Sequence, residues 1–253
     1  MLFRSLTTER ETALLWDRTT GEPVYRALAG MSRHADEIVA RWAQDGLDSE
    51  CRARTGLPSD SVFSAAKLAW LLESVDGVRA RAERGELAAG TLDTWLLWNL
   101  TGGRSHLTDH SEASRTALFS LRDLAWDDLL CGACGVPQQL LPEAVASDAH
   151  FGEMLPGEVG LPGTRPVPIL AVMADQQSGM FGQACFEPGS AKNTYGTAGV
   201  LTANAGDAPT SAPGLTSSVA WTVGGRTSYE LEGVVFHSGQ TLQWMRERMG
   251  LLR

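Results

Sequence analysis

Lysine is almost missing from this chain of 253 residues, which carries only Lys67 and Lys192. Its 21 basic side chains are therefore nearly all arginines, and 30 acidic side chains outnumber them, for a formal net charge of -9. Such an acidic excess disfavours non-specific binding to nucleic acid or to an anionic membrane surface. We therefore expect partners that are small or uncharged.

Long apolar segments are missing too. The longest candidate is the eight-residue run VPILAVMA at 167–174, whereas a transmembrane helix needs roughly 18 apolar residues or more. The opening MLFRSLTTERETALLW has no apolar stretch behind a basic start, so it does not resemble a signal peptide. These absences predict a cytoplasmic protein.

Cysteine is scarce, and four cysteines are too few and too scattered for a disulfide framework in a chain of this length. Cys131 and Cys134 form a CxxC pair, a spacing found in redox centres and in halves of zinc sites. Zinc would need two further ligands, but there is no second CxxC and the five histidines show no HxxxH-type pairing. We interpret the pair as structural, on an amphipathic helix that ends at Gly135.

Two common nucleotide-binding motifs are absent, since the chain has neither GxxxxGK[ST] nor GxGxxG. The segment TYGTAG at 194–199 is the remaining candidate. Closely spaced glycines let backbone N–H groups approach a phosphate, and a threonine hydroxyl can join them. A plain β-hairpin turn explains the same residues, so both interpretations stay open.

The hydrophobic patterning divides the chain into two parts. Residues 11–28 predict two short strands around a turn, and VPILAVMA predicts a strand buried on both faces, followed by a helix at 175–186. Between them, four amphipathic helices are predicted, at 34–43, 65–75, 78–87 and 92–100. After 187–189 the pattern becomes strand-rich, with one last helix from 239. We place a domain boundary near 187, and the second part, with a few strands and one helix, buries little surface alone.

The residues Asp175, Gln176 and Gln177 follow the predicted buried strand directly. Ligands of open α/β sheets collect outside the carboxyl ends of strands, and a partly shielded carboxylate there suits a general base for a substrate hydroxyl. The residues alone leave open whether Asp175 has this role or only caps the following helix.

Arg10 and Glu11 are adjacent opposite charges beside a predicted strand. Most pairs of this kind are incidental surface charges. At the mouth of a strand, however, such a pair can grip vicinal hydroxyls, because arginine donates hydrogen bonds and an ionised glutamate accepts them.

Several long blocks, in this order, resemble the FGGY family of carbohydrate kinases and, within it, the members that phosphorylate glycerol. The blocks are TTERETALLWDRTTGEPVY, FSAAKLAWLLESVDGVRARAERGELAAGTLDTWLLWNLTGG, SHLTDHSEASRTALF, ADQQSGMFGQACFEPGSAKNTYGT and LEGVVFHSGQTLQWMRE. The resemblance implies an α/β, actin-like ATPase (ribonuclease H-like) fold with two α/β domains around a cleft. Residues 1–187 would be the polyol-binding domain without its first strands, and 188–253 the beginning of the ATP-binding domain.

The resemblance also implies an activity and a set of site residues. ATP with Mg²⁺ would phosphorylate a primary hydroxyl of glycerol or a related polyol, giving sn-glycerol 3-phosphate from glycerol. Arg10, Glu11 and Gln176 would bind the polyol, and Asp175 would bind it and act as the catalytic base. Gly196 and Thr197 would contact the ATP phosphates. No residue is assigned to the metal, and a homo-oligomer is a further expectation.

Three aromatic residues of the family pattern are replaced by small ones, at Gly30, Val62 and Val200. Each lost ring removes a large rigid contact surface. We therefore expect a wider pocket that suits a bulkier polyol or sugar. The segment at 160–165 also resembles an effector-binding loop of some members, but an ordinary surface loop before the buried strand is the favoured interpretation.

The family pattern begins with a D-x-G-T-type phosphate loop before the Arg-Glu pair and continues beyond the helix at 239 into loops that hold adenosine. Neither part occurs in these residues. We expect a partial chain that does not phosphorylate glycerol measurably by itself. The alternative is a non-catalytic truncated relative that at most binds a polyol.

Overall fold

A computed structural model describes residues 4–157 and 165–251 of the chain. The strands are β1 (Arg4–Thr8), β2 (Ala13–Asp17), β3 (Leu87–Thr91), β4 (Leu107–Asp109), β5 (Phe119–Ser120), β6 (Ala125–Trp126), β7 (Glu143–Val145), β8 (Gly152–Met154), β9 (Val167–Ala174), β10 (Ala191–Tyr195), β11 (Gly199–Gly206), β12 (Thr216–Val223) and β13 (Arg226–Val235). The helices are α1 (Asp36–Gln44), α2 (Leu47–Thr55), α3 (Ser64–Ser74), α4 (Val78–Glu83), α5 (Leu92–Leu100), α6 (His110–Ala113), α7 (Asp128–Ala133), α8 (Asp175–Gly182) and α9 (Gly239–Glu247).

The predicted strand VPILAVMA is β9, the centre of a three-stranded sheet in the order β1-β9-β8. β1 runs parallel to β9, and the last residues of the two strands, Thr8 and Ala174, are paired. Their carboxyl ends therefore lie side by side, which brings Arg10 and Asp175 to the same edge of the sheet. Burial on both faces is only partly correct, because Ile169, Val172 and Ala174 are buried and the other five residues of β9 are half-buried.

The four predicted helices between these strands are present as α1, α3, α4 and α5. α4 is shorter than predicted, because Gly85 adopts a φ of 74° after its end and the chain then extends into β3. α3 packs on β2 and contributes three fully buried leucines to the main core, namely Leu68, Leu71 and Leu72.

The hairpin predicted at 11–28 is confirmed in part. The segment after the turn runs antiparallel to β2 and forms bridges with it at Pro23 and Leu28, but it is not a regular strand, and β2 pairs along its whole length with β3. Proline has no N–H to donate to a ladder, and β3 offers an apolar strand whose five residues are all buried. Local periodicity could not reveal this distant partner.

The CxxC pair lies at the end of α7, which is shorter than the predicted helix and is followed by Gly135 at a φ of 65°. Both cysteines are buried and free. Burial raises the pKa of the Cys131 thiol to about 12 and also raises that of Cys134, so neither forms a thiolate at neutral pH. The structure agrees with a packing role for the pair.

The strand-rich second part forms an antiparallel sheet in the order β10-β11-β13-β12. Gly224 and Gly225, at φ values of 60° and 75°, form the tight turn between β12 and β13, a position that favours glycine. β12 packs against α6 of the first part. The boundary near 187 stays a prediction.

None of the helices in the described residues is long and apolar enough to cross a membrane. The loop at 160–165 that resembles an effector site falls, except for Arg165, outside the described residues.

Candidate functional site

A cavity of about 460 Å³ opens at the carboxyl ends of β1 and β9. Its polar lining includes six side chains from four separate segments of the chain: Arg10, Glu11, Arg115, Asp175, Gln176 and Glu232. Part of the remaining wall is apolar, formed by Phe63, Val234 and Phe236. The cavity thus combines a charged floor with an apolar side, as small-molecule sites commonly do.

Arg10 lies at the floor of this cavity with 9% of its surface exposed. Its Nη1 atom donates to Glu232 Oε2 at 2.6 Å, and its Nε atom lies 3.9 Å from Asp175 Oδ1. Burial alone would lower the pKa of Arg10, but the carboxylates of Glu11, Glu232 and Glu230 together raise it. The guanidinium is therefore permanently charged, and it is no incidental surface charge.

Glu11 is equally buried and has a left-handed backbone, at a φ of 67°. Two buried donors bind its main-chain oxygen, Lys67 Nζ at 2.9 Å and Ser64 Oγ at 3.1 Å. Its side-chain Oε1 accepts a hydrogen bond from Arg115 Nε at 2.8 Å. The structure thus orders a carboxylate whose second oxygen faces the cavity beside Gly30, since a Cβ added there would lie 3.9 Å from Glu11 Oε2.

Asp175 is the first residue of α8, whose N-cap is Ala174, and no side chain caps this helix. The interpretation of Asp175 as a helix cap is therefore wrong. Its Oδ1 atom accepts a hydrogen bond from the main-chain N–H of Gln176 at 2.7 Å, and its side chain is 44% exposed. The carboxylate is thus both oriented by the protein and accessible from the cavity.

Gln176 lines the cavity next to Asp175, and its side chain is held from β10. Its Oε1 atom accepts hydrogen bonds from Lys192 Nζ at 2.7 Å and from Thr194 Oγ1 at 3.1 Å. The structure therefore brings Arg10, Glu11, Asp175 and Gln176 together, as the sequence predicts, although their roles stay predictions.

Gly196 and Thr197 lie in the turn between β10 and β11, which pair as an antiparallel hairpin. Their main-chain oxygens accept hydrogen bonds from the N–H groups of Gly239 and Ser238, at the beginning of α9. They are not in the lining of the 460 Å³ cavity, but Ala198, the next residue, is. The structure thus confirms that these residues form a hairpin turn. Phosphate binding by the turn stays a prediction.

Gly30, Val62 and Val200 all line the cavity. A Cβ added at Gly30 would meet only ordinary contacts, with Arg10 O at 3.8 Å and Glu11 Oε2 at 3.9 Å. The cavity therefore has open space beside Gly30, and Val62 and Val200 lie in its wall, at the positions where the sequence predicts a wider pocket.

Sequence reasoning assigned no role to the buried ion pairs beneath the cavity. Arg115 Nη2 donates to Glu232 Oε1 at 2.9 Å, so Glu232 bridges the two arginines Arg10 and Arg115. Burial opposes ionisation of Glu232, but Arg115 and Arg10 outweigh it and hold its pKa below the usual range. Glu230 and Glu232 stand two apart on β13, and such spacing on a predicted strand could have indicated two carboxylates on one face.

Glu230 lies next to this network and is completely buried. Its Oε1 atom accepts hydrogen bonds from Gln177 Nε2 at 2.7 Å and Ser218 Oγ at 2.9 Å, whereas its Oε2 atom has no partner. Burial, followed by the charge of Glu232, raises the pKa of Glu230 to about 7. The floor of the site therefore holds one carboxyl that is ionised and one that titrates near neutrality.

A larger open groove of about 690 Å³ lies between α2 and the segment 208–217. Two of its three arginines, Arg52 and Arg54, are paired with carboxylates on their own helix, Asp48 and Glu50. None of the site residues that the sequence predicts lines this groove. In residues 4–157 and 165–251, no group of three or more His, Cys, Asp or Glu side chains is placed to hold a metal ion.

The structure is that of an α/β protein with a polar cavity at the carboxyl ends of neighbouring parallel strands, where ligands of such folds collect. Residues 3–182 match the N-terminal domain of the FGGY family of carbohydrate kinases, and the chain belongs to this family.

Similar proteins support this assignment. The chain is 47% identical to a glycerol kinase of Halorhodospira halophila, over 98% of this chain and 48% of that protein. It is 48% identical to a glycerol kinase of Thermus brockianus, over 100% of this chain and 50% of that protein. Its structure matches that of a Plasmodium falciparum glycerol kinase with ADP, with a TM-score of 0.92 and 30% sequence identity. This match covers 98% of this chain and 49% of the other.

The chain therefore has the actin-like ATPase fold of the FGGY sugar kinases. A gluconate kinase and a xylulose kinase share this fold at a lower sequence identity of 19%. The chain spans about half the length of the relatives it matches.

Proposed function

We propose that this chain is the polyol-binding part of an ATP-dependent kinase that phosphorylates a primary hydroxyl of glycerol or a related polyol. The observation that carries the proposal is the convergence of Arg10, Glu11, Asp175 and Gln176 in one cavity at the carboxyl ends of β1 and β9. The relatives named glycerol kinase support the same activity. Because ATP is its phosphate donor, we place the activity in the cytoplasm.

The proposed chemistry uses few groups. Arg10 donates to a hydroxyl oxygen of the polyol and Glu11 accepts from a neighbouring hydroxyl, so together they fix the orientation of the chain of carbons. Asp175 accepts the proton of the hydroxyl that attacks the phosphoryl group, and Gln176 supports the same end of the polyol. Phosphoryl transfer depends chiefly on positioning and electrostatics, with one carboxylate to accept a proton.

Two features of the turn at 196–198 suit the phosphates of ATP. Gly196 has no side chain to keep a phosphate away from the main chain, and Thr197 is exposed. We propose that these two residues hold the phosphates, and bound ATP supplies the phosphoryl group. Mg²⁺ that arrives with ATP is held largely by phosphate oxygens and water. We assign it no ligand in the described residues, which offer no cluster of metal-binding side chains.

Binding is tested by calorimetry with this chain and glycerol, in the wild type and in Arg10→Met. The wild type should bind glycerol at one site, and Arg10→Met should lose at least tenfold in affinity, because it removes the charged donor at the cavity floor. Arg226→Met, at the exposed beginning of β13, is the matched control. An unchanged affinity in Arg10→Met, or no binding by the wild type, contradicts the proposal.

Phosphate transfer is tested in a hybrid that supplies the flanking parts of the Thermus brockianus relative. Loss of a general base typically lowers the rate by about 10²–10⁴-fold. Asp175→Asn should therefore lower kcat by this factor while glycerol affinity changes severalfold at most. Full activity of Asp175→Asn excludes Asp175 as the base.

A second candidate is a kinase of a larger polyol or sugar. It is favoured by the open space at Gly30, Val62 and Val200 in the wall of the cavity. Changes in pocket size alter specificity by about 10- to 200-fold. A series of three- to six-carbon polyols, titrated against the wild-type chain, separates the two candidates, since tightest binding of glycerol rules out the larger substrate.

A further inference from the structure

Lys192 is a buried cation that the proposed chemistry does not use. It lies on β10 with 5% of its surface exposed, and its side chain passes close to Gly179 of α8, where an added Cβ would lie 3.3 Å from Nζ. Its Nζ atom donates to Gln176 Oε1 and to Thr194 Oγ1, each at 2.7 Å. Lys192 therefore connects the strand that leads to the 196–198 turn with the beginning of α8.

The ammonium group fixes which way the Gln176 amide points. Lys192 Nζ can only donate, so it must face the amide oxygen, and Thr194 Oγ1 reinforces this with a second hydrogen bond to the same oxygen at 3.1 Å. The opposite orientation would place the amide NH₂ against a cation. Consequently Gln176 Nε2 is directed towards Asp175 Oδ2, at 3.4 Å.

Asp175 then receives both of its oriented donors from one residue. The main-chain N–H of Gln176 binds Oδ1 at 2.7 Å and its side-chain amide approaches Oδ2. A carboxylate held by two donors is restricted in rotation, and positioning within fractions of an ångström affects the rate of group transfer. Lys192 controls the second of these donors without touching Asp175.

The charges around Lys192 belong to the candidate site. Burial lowers the pKa of Lys192, and the positive charge of Arg10 adds to this lowering. The carboxylates of Glu230, Asp175 and Glu232 act in the opposite direction and offset it only in part. The lysine is therefore part of the same charge network as the polyol grip.

We infer that Lys192 is a positioning residue, which holds the Gln176 amide in the orientation that donates to Asp175 and thereby couples β10 to the polyol end of the site. The inference rests on the proposed function for its consequence in catalysis, but its geometry can be tested without activity.

The test is the side-chain amide signal of Gln176 in ¹H–¹⁵N correlation spectra of this chain, assigned by its disappearance in Gln176→Ala. In Lys192→Met, which keeps an unbranched side chain of nearly the same length but removes its donor, the Gln176 signal should shift and split into two orientations. Thr194→Val, which leaves Lys192 in place, should shift it less. Asn193→Ala, an exposed neighbour on the same strand, should leave it unchanged. An unmoved Gln176 signal in Lys192→Met overturns the inference.

Polyol affinity supplies a second measurement. Lys192→Met should bind glycerol about tenfold more weakly, with Asn193→Ala equal to the wild type. Equal affinity of Lys192→Met and wild type overturns the coupling and leaves the proposed function intact. Absence of glycerol binding in the wild type contradicts the proposed function, and the Gln176 signal then decides the inference alone. If Lys192→Met does not fold, the signal in Thr194→Val decides it, and an unmoved signal there counts against the inference.

Discussion

Lys67 Nζ donates a hydrogen bond of 2.9 Å to the main-chain oxygen of Glu11, the residue whose φ is 67°. A non-glycine residue in this conformation carries strain of about 1–3 kcal/mol and persists only where its surroundings enforce it. Lys67 also donates to the oxygen of Val62, in the wall of the cavity. One fully buried lysine thus connects the strained backbone of Glu11 to the cavity wall.

Lys67→Met should therefore lower the free energy of unfolding by about 2 kcal/mol, because it removes a charged donor from two buried oxygens. Ser64→Ala removes the other, uncharged donor to Glu11, and should cost about 1 kcal/mol. Urea unfolding of both variants measures the difference. A Ser64→Ala variant that loses more stability than Lys67→Met would show that the cation does not enforce the conformation of Glu11.

Glu230 predicts a pH dependence of stability. Its pKa is raised to about 7 in the folded chain by burial and by Glu232, while an unfolded glutamate has a pKa near 4.3. The folded state therefore binds more protons between these values. The contribution of Glu230 to stability is fully present below about pH 4.3 and is lost as the pH rises through 7.

Glu230→Gln should remove this loss. The variant should exceed the wild type in unfolding free energy by up to about 3 kcal/mol at pH 8, with the difference shrinking towards pH 4. Urea unfolding at a series of pH values measures it, and Glu83→Gln, at an exposed position, is the control. Parallel profiles for Glu230→Gln and wild type would mean that Glu230 does not titrate in this range.

The elements that position Asp175 could be predicted from sequence because their signals are local. An uninterrupted apolar run followed by Asp175 gave the bounds of β9 and the beginning of α8 as the structure has them. The rule that ligands collect at the carboxyl ends of strands then indicated the edge of the sheet where the structure has a cavity.

The charge network beneath the site could not be predicted in the same way. Arg115 and Glu232 are 117 positions apart, and only the packing of β12 and β13 against the first part brings them together. The same reason explains why the full-length partner of β2 could not be predicted, since β3 lies beyond four helices. Pairings between distant segments leave no periodicity in either segment.

Gly56 and Gly46 form a matched pair for testing how the second part contacts α2. Both have left-handed backbones, at φ values of 73° and 76°, so substitution by alanine costs each about 1 kcal/mol. A Cβ at Gly56 would also lie 2.6 Å from Ser217 O on β12, whereas at Gly46 nothing lies within 4 Å.

Gly56→Ala should therefore lose about 1–3 kcal/mol more unfolding free energy than Gly46→Ala, because overpacking forces β12 away from the end of α2. Urea unfolding of the two variants gives this difference directly. Equal losses would indicate that β12 does not contact α2 in solution as it does in the structure.

Gly30 offers the sharpest test of substrate size. Its backbone is not left-handed and a Cβ there meets only ordinary contacts, so Gly30→Trp should fold while its ring fills cavity volume beside Glu11. Loss of that volume should weaken five- and six-carbon polyols relative to glycerol by about 10- to 200-fold. Gly30→Ala adds one methyl group and should change this ratio little. Calorimetric titration of both variants with glycerol and the longer polyols measures the ratio. If Gly30→Trp binds the long polyols as well as the wild type does, the open space at Gly30 does not receive the substrate, and selection for length must come from another part of the wall.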